Sequence, residues 1–140
     1  MVKSRINSAL SEYRSVSVTS GVEDATPHRL VQMLMEGALD KIATAKGHIL
    51  HDNPAEKGRH ISWAISIISG LQSSLDMEGG GEISANLFDL YDYMVRRLGQ
   101  AAAGSDPAIL DEVSSLMLEV KSAWDVIPAQ LAAENRQAAS

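Results

Sequence analysis

The chain has no cysteine among its 140 residues. Disulfides, thiolate metal sites and cysteine nucleophiles are excluded together, and a reducing compartment is permitted. Aromatic side chains are scarce, with one Phe, two Trp and three Tyr. The interior must therefore come from Ala, Leu and Ile, as it does in many helical proteins. Positive charge is in deficit: 12 Lys and Arg stand against 18 Asp and Glu, for a net charge of −6. A nucleic-acid surface needs the reverse, clustered Lys and Arg, so nucleic acid is not an expected partner. No stretch approaches the ~20 apolar residues of a membrane span. The basic beginning, Met1 to Leu10, lacks the apolar core and cleavage pattern of an export signal. A cytoplasmic, non-inserting protein of one domain is expected.

Proline is rare too, and its placement is informative. Three of the four prolines follow a capping residue, in Thr26-Pro27, Asn53-Pro54 and Asp106-Pro107. Thr, Asn and Asp can accept from the free amides of a first helical turn, and proline suits the first helical position, so each pair marks a helix start. The first helix is expected from about Pro27 to His51, with Leu30, Leu34, Ala38, Ile42, Ala45 and Ile49 on one face and Met35 widening it. The second runs from about Pro54 to Met77 on a seam of Ile61, Ala64, Ile65, Ile68, Leu71 and Leu75. Gly79-Gly80-Gly81 then break the chain, and Glu82 suits the positive end of the helix that follows. That third helix runs to about Ala103 on Ile83, Leu87, Leu90, Met94 and Leu98, and the fourth carries Leu110, Val113, Leu116, Met117, Val120, Trp124 and Ile127 in register.

Four helices of about 20 residues with short links predict an all-α fold, an antiparallel up-down-up-down four-helix bundle. The expected division is an N-terminal arm over residues 1–24, the bundle over 25–128 and a tail over 129–140. Within the arm, Ile6, Ala9, Leu10 and Tyr13 predict a short amphipathic helix, followed by an extended connector through Val16 and Val18.

The middle helices carry a second apolar stripe beside their seams: Trp63, Ile67 and Gly70 on the second helix, and Phe88, Tyr91 and Val95 on the third. A bundle helix hides a stripe about 100° wide, and these exceed it. The excess reads either as core or as a groove for a partner helix, with Gly70 allowing close approach, the aromatics anchoring, and Leu71 shared with the seam. The Ile6–Tyr13 helix is a natural cover for such a groove.

Catalytic chemistry is not in evidence, and no catalytic, cofactor or metal site is expected. His48 and His51 share a helix face, which Asp52 or His60 could join at a metal, but the acidic partners of specific helical metal motifs are not at matching spacing, so these histidines read as surface residues. The glycine run lacks the Lys-Ser/Thr ending of a phosphate loop. Two further readings stand beside a binding module: a histidine phosphotransfer bundle using His60, and a structural adaptor dimerising through the apolar stripes.

The runs Pro27-His28-Arg29-Leu30, Leu75-Asp76-Met77-Glu78-Gly79-Gly80, Glu82-Ile83-Ser84-Ala85-Asn86-Leu87 and Leu90-Tyr91-Asp92-Tyr93-Met94-Val95-Arg96-Arg97-Leu98 closely resemble the FliS family of flagellar secretion chaperones. The resemblance covers about Tyr13 to Trp124, with Gly99 and Trp63 as departures from the family pattern. It implies a non-enzymatic helical bundle that binds the C-terminal segment of flagellin in the cytoplasm. Such a protein blocks premature filament assembly and delivers its client to the flagellar type III export apparatus and its membrane export gate. The family's N-terminal tyrosine corresponds best to Tyr13. On this reading Tyr13, Val16 and Val18 compete in cis for the groove, and the free protein is a monomer or weak dimer.

Overall fold

The computed structural model of the chain describes residues 25–127, all of them helix or short connections. The expected arm helix and connector, with Tyr13, Val16 and Val18, and the tail beyond Pro128 lie outside the described residues. Four helices follow in order: α1 Pro27–Leu50, α2 Pro54–Ser73, α3 Gly81–Gly104 and α4 Pro107–Asp125. All three proline signals fall in first helical turns. At two of them the preceding side chain caps as expected, Thr26 Oγ1 accepting from the Arg29 amide at 3.1 Å and Asp106 Oδ1 from the Ala108 amide at 3.0 Å. Asn53 does not cap. Its side-chain amide lies instead 3.3 Å from Nδ1 of His48.

The turns differ from expectation in instructive ways. α2 ends at Ser73, a turn before Met77, because the Ser74 hydroxyl donates to the Leu71 carbonyl at 2.7 Å and offers the chain an alternative to the helical ladder. Asp76 then organises the glycine run: its carboxylate accepts from the Gly79 amide and its carbonyl from the Gly80 amide, both at 2.8 Å. Only Gly81 is left-handed, at φ +56°. Gly80 is needed for space, since a Cβ there would run into the Ser84 side chain and the Asp76 carbonyl. Asp52 and Ser105, both left-handed, close α1 and α3, so the chain stops α3 at Ser105 and not at Gly104.

Each helix packs against its neighbours in sequence, and α1 closes the ring against α4. The pairing is antiparallel throughout. Buried Lys57, early in α2, donates from Nζ to Ser105 Oγ at 2.7 Å, just past the end of α3, where a cation complements the helix dipole. Lys46 near the end of α1 pairs with Asp111 near the start of α4 at 2.9 Å. The up-down-up-down bundle is the expected fold.

The core is aliphatic, with Leu34, Met35, Ile42, Ile61, Ile67, Ile68, Leu71, Met94, Leu98, Leu110, Val113 and Met117 closed to solvent. The helices bury more of their circumference than one seam. On α1, Met33 joins the expected Leu34, Met35, Ala38 and Ile42. On α3 the buried face is Ser84, Tyr91, Met94, Leu98 and Ala101, while Ile83 is 73% exposed. The expected α3 seam is therefore corrected: it holds from Met94 onward and opens toward the start of the helix.

Candidate partner-binding surface

The two stripes singled out in the sequence do not share one open groove. Trp63 faces α1, with Lys41 Nζ 3.9 Å from its ring centroid. Ile67 and Gly70 follow at helical spacing on the same face, and Ile67, Gly70 and Leu71 are buried. Tyr91 is buried in the core, where desolvation pushes its phenol up to about 12. For Ile67, Gly70, Leu71 and Tyr91, the expectation of spare surface is overturned. α2 packs against α1 on one side and α3 on the other, which consumes the wider stripe. Phe88 stays exposed at 39% and Val95 is half-buried. They flank the α2–α3 contact, where Gln72 Nε2 donates to the Phe88 carbonyl at 3.1 Å.

Among the described residues the exposed large apolar side chains are spread over the surface: Leu50 at the end of α1, Met77 and Ile83 around the start of α3, Phe88 on α3, and Leu118 and Val126 at α4 and its end. Ile83 is 73% exposed and Met77 in the preceding turn 47%; Leu118 shares the flank of α4 that carries Asp111 and Asp125 toward α1, and Val126 lies just past the end of α4. The α3–α4 register is set by Glu112, whose carboxylate accepts from Arg97 Nε at 2.8 Å and from the Tyr93 hydroxyl at 3.0 Å. Because the helices run antiparallel, Leu90, Leu87 and Ile83 lie along the stretch of Leu116, Val120 and Trp124. All of these except Ile83 are half-buried. This half-buried apolar strip, packed against the core and ending in exposed Ile83 at the end of the bundle where α1 begins and α4 ends, is the α3–α4 trough. Sequence periodicity assigned Ile83, Leu87 and Leu90 to the core; Leu87 and Leu90 do pack against it, and Ile83 does not.

Polar contacts fix the walls of this trough. Arg97 and then Tyr93 hold the Glu112 carboxyl below its ordinary value, and Glu112 in turn raises the Tyr93 phenol. At the open end, α1 and α4 are clasped reciprocally. His28 Nε2 donates to the Trp124 carbonyl at 2.7 Å, Trp124 Nε1 donates to the His28 carbonyl at 3.1 Å, and the two rings stack at 4.8 Å. The end of α4 is thus held where it borders the trough.

The histidines at the other end of the bundle also differ from expectation. His60 is buried, between the rings of His48 and Trp63, with Nδ1 2.8 Å from the Glu56 carbonyl. An enclosed ring is not the open nitrogen that phosphoryl transfer needs, which removes the support for the phosphotransfer reading. The side chain that joins His48 and His60 is Glu56, and not His51 or Asp52. The spacing Glu56-x-x-x-His60 puts both on one helix face and was legible in the sequence, but was overlooked there.

The family model described as flagellar protein FliS matches residues 9–131 of the chain. Flagellar secretion chaperone FliSB of Pseudomonas aeruginosa is 50% identical over 119 residues, covering 85% of this chain and 94% of that protein. Flagellar secretion chaperone FliS of Vibrio cholerae is 44% identical over 120 residues, covering 86% and 88%. Its namesake in Salmonella typhimurium is 42% identical over 121 residues, covering 86% and 90%. Proteins named as chaperones have a non-enzymatic role, and among the described residues no helix is long and apolar enough to cross a membrane. A family model matching most of the chain and relatives of this identity and coverage make the helical bundle a member of the FliS family of flagellar secretion chaperones.

Proposed function

We propose that the chain binds the C-terminal segment of flagellin in the cytoplasm, keeps it from polymerising, and brings it to the flagellar type III export apparatus and its export gate. The observation that supports this reading is Ile83, exposed at the end of a strip in which Leu87 and Leu90 are only partly covered, in a bundle whose core is otherwise closed. A segment that forms amphipathic helices only on assembly presents apolar faces suited to such a trough. Its ordering costs about 2–5 kcal/mol on binding. Each large apolar side chain fully buried returns about 1.5–3 kcal/mol, so a few anchors offset that cost.

Within the expected set, Phe88, Val95 and the exposed part of Trp63 are the residues a client can touch directly. Ile67, Gly70, Leu71 and Tyr91 act from beneath by fixing where α2 and α3 stand. Tyr13, Val16 and Val18 serve as the competitor in cis for the same surface. Calorimetry with a flagellin C-terminal peptide tests the reading. Ile83→Asp and Phe88→Asp should each weaken binding roughly ten- to a hundredfold with helical circular dichroism unchanged. Undiminished binding in the double variant would overturn the assigned surface. A stable dimer in light scattering, with no complex on adding full-length flagellin, would favour the adaptor reading instead.

A further inference from the structure

We propose that His48, Glu56 and His60 form a binding site for a divalent late transition metal, zinc or a neighbour of it, clipping the end of α1 to the start of α2. One ligand atom from each of the three lies within 4.8 Å of the others, and the imidazole centroids are 5.2 Å apart, inclined by 33°. In tetrahedral zinc sites ligand atoms stand roughly 3.3 Å apart. Closure from the observed spacing takes side-chain rotation alone, because His48 and Glu56 are only half-buried and can adjust toward the enclosed His60.

The surroundings prepare these groups as ligands. A carbonyl oxygen can only accept, so the 2.8 Å contact of His60 Nδ1 with the Glu56 carbonyl puts the ring proton on Nδ1 and the lone pair on Nε2. Orientation of one ring nitrogen by a backbone carbonyl is how metal-binding histidines are usually held. Asn53 stands where an N-cap would, yet is turned to His48 Nδ1. Its Nδ2 can only donate, so the contact leaves the lone pair of His48 on Nδ1 and its proton on Nε2, and Asn53 must release Nδ1 before that nitrogen can bind a cation. Both hydrogen bonds from Arg59 fall on Oε2 of Glu56, at 3.2 and 2.8 Å, the oxygen that also lies 3.9 Å from His60 Nδ1, so Arg59 is the competitor a cation must displace there. Lys57 and Lys41, the other nearby cations, are directed to Ser105 and to the Trp63 ring.

Two imidazoles and one carboxylate suit zinc, cobalt, nickel or copper and leave a position for water. Magnesium and calcium prefer all-oxygen shells. The site lies at the α1–α2 turn, at the opposite end of the bundle from the α3–α4 trough. Its presence or failure is therefore independent of the proposed flagellin surface.

The test uses the full chain without added histidines, stripped by a chelator and titrated with Zn2+ against a chromophoric competitor, with thermal unfolding followed in parallel. One Zn2+ per chain and a raised Tm are expected. His48→Ala and Glu56→Gln, chosen because neither side chain is in the closed core, should each weaken binding by at least about tenfold. Arg59→Ala, which frees Glu56 from its competing cation, should tighten binding several-fold, while His28→Ala and His51→Ala should leave it unchanged. No stoichiometric Zn2+ uptake would overturn the proposal, as would equal affinity in the His48 and Glu56 variants, or loss of binding only on removing His51.

Discussion

Neighbouring glycines in the α2–α3 turn are irreplaceable for different reasons, and substitution should separate them. Gly80 has an ordinary right-handed backbone, but a Cβ there would collide with Ser84 and with the Asp76 carbonyl. Gly80→Ala should cost about 1–3 kcal/mol in chemical denaturation, as overpacking does. Gly81 has open space around it but φ +56°, so Gly81→Ala should cost about 1–2 kcal/mol through backbone strain alone. The sequence showed that a turn must be here and could not show which glycine was needed for space, because that depends on Ser84 one helical turn later. Ile67 teaches the same lesson. Its spacing fitted both a core stripe and a docking stripe, and only the closeness of α1 to α2 decides between them. With Ile67 1% exposed, Ile67→Ala should cost about 2–5 kcal/mol, and Ile67→Asp should abolish the helical circular dichroism and not merely client binding.

Among the elements, α4 is the one most held by named polar contacts, and two of them should be visible in solution. Glu112 accepts from Arg97 and Tyr93, and its carboxyl is held below the ordinary 4.5. A group depressed in the folded state contributes stability that is fully present above its unfolded value and is lost as pH falls through the folded one. Stability should therefore decline as the solution is acidified below the ordinary glutamate range, and Glu112→Gln should flatten that part of the pH profile in urea titrations. At the other end of α4, Trp124→Phe keeps a ring to stack on His28 but leaves the His28 carbonyl without the indole donor. A loss of about 1 kcal/mol is expected. Helix existence, order and starts were legible because Thr26-Pro27, Asn53-Pro54 and Asp106-Pro107 are local signals. Facing was less so: the first turns of α3 repeat Ile83, Leu87 and Leu90 as a core helix would, yet Leu87 and Leu90 are only partly covered and Ile83 stands open. Periodicity reports which side of a helix is apolar and is silent on how far its neighbours extend.

For the molecule as a whole, the open trough poses a problem of solubility and of timing. Apolar side chains as exposed as Ile83 and Met77, neighbours at the α2–α3 turn, favour association between copies unless something competes for them. On the proposed reading the competitor is the segment carrying Tyr13, Val16 and Val18, tethered to the start of α1 at the same end of the bundle. A tethered cover acts at a fixed effective concentration, so it protects the empty protein and yields to a client of sufficient affinity. The apparent affinity for flagellin then falls by the fraction of molecules that are uncovered. A cover in place nine-tenths of the time weakens binding about tenfold. Deleting residues 1–18 should therefore tighten binding of the flagellin C-terminal peptide, and should raise self-association of the free protein in light scattering. The two effects should move together, because one contact produces both. Ile83→Asp in the deleted chain should abolish the self-association and the gain in affinity alike. A deletion that leaves affinity and solubility unchanged would show that the arm covers nothing, and the trough would then have to stay soluble on its charged rim alone.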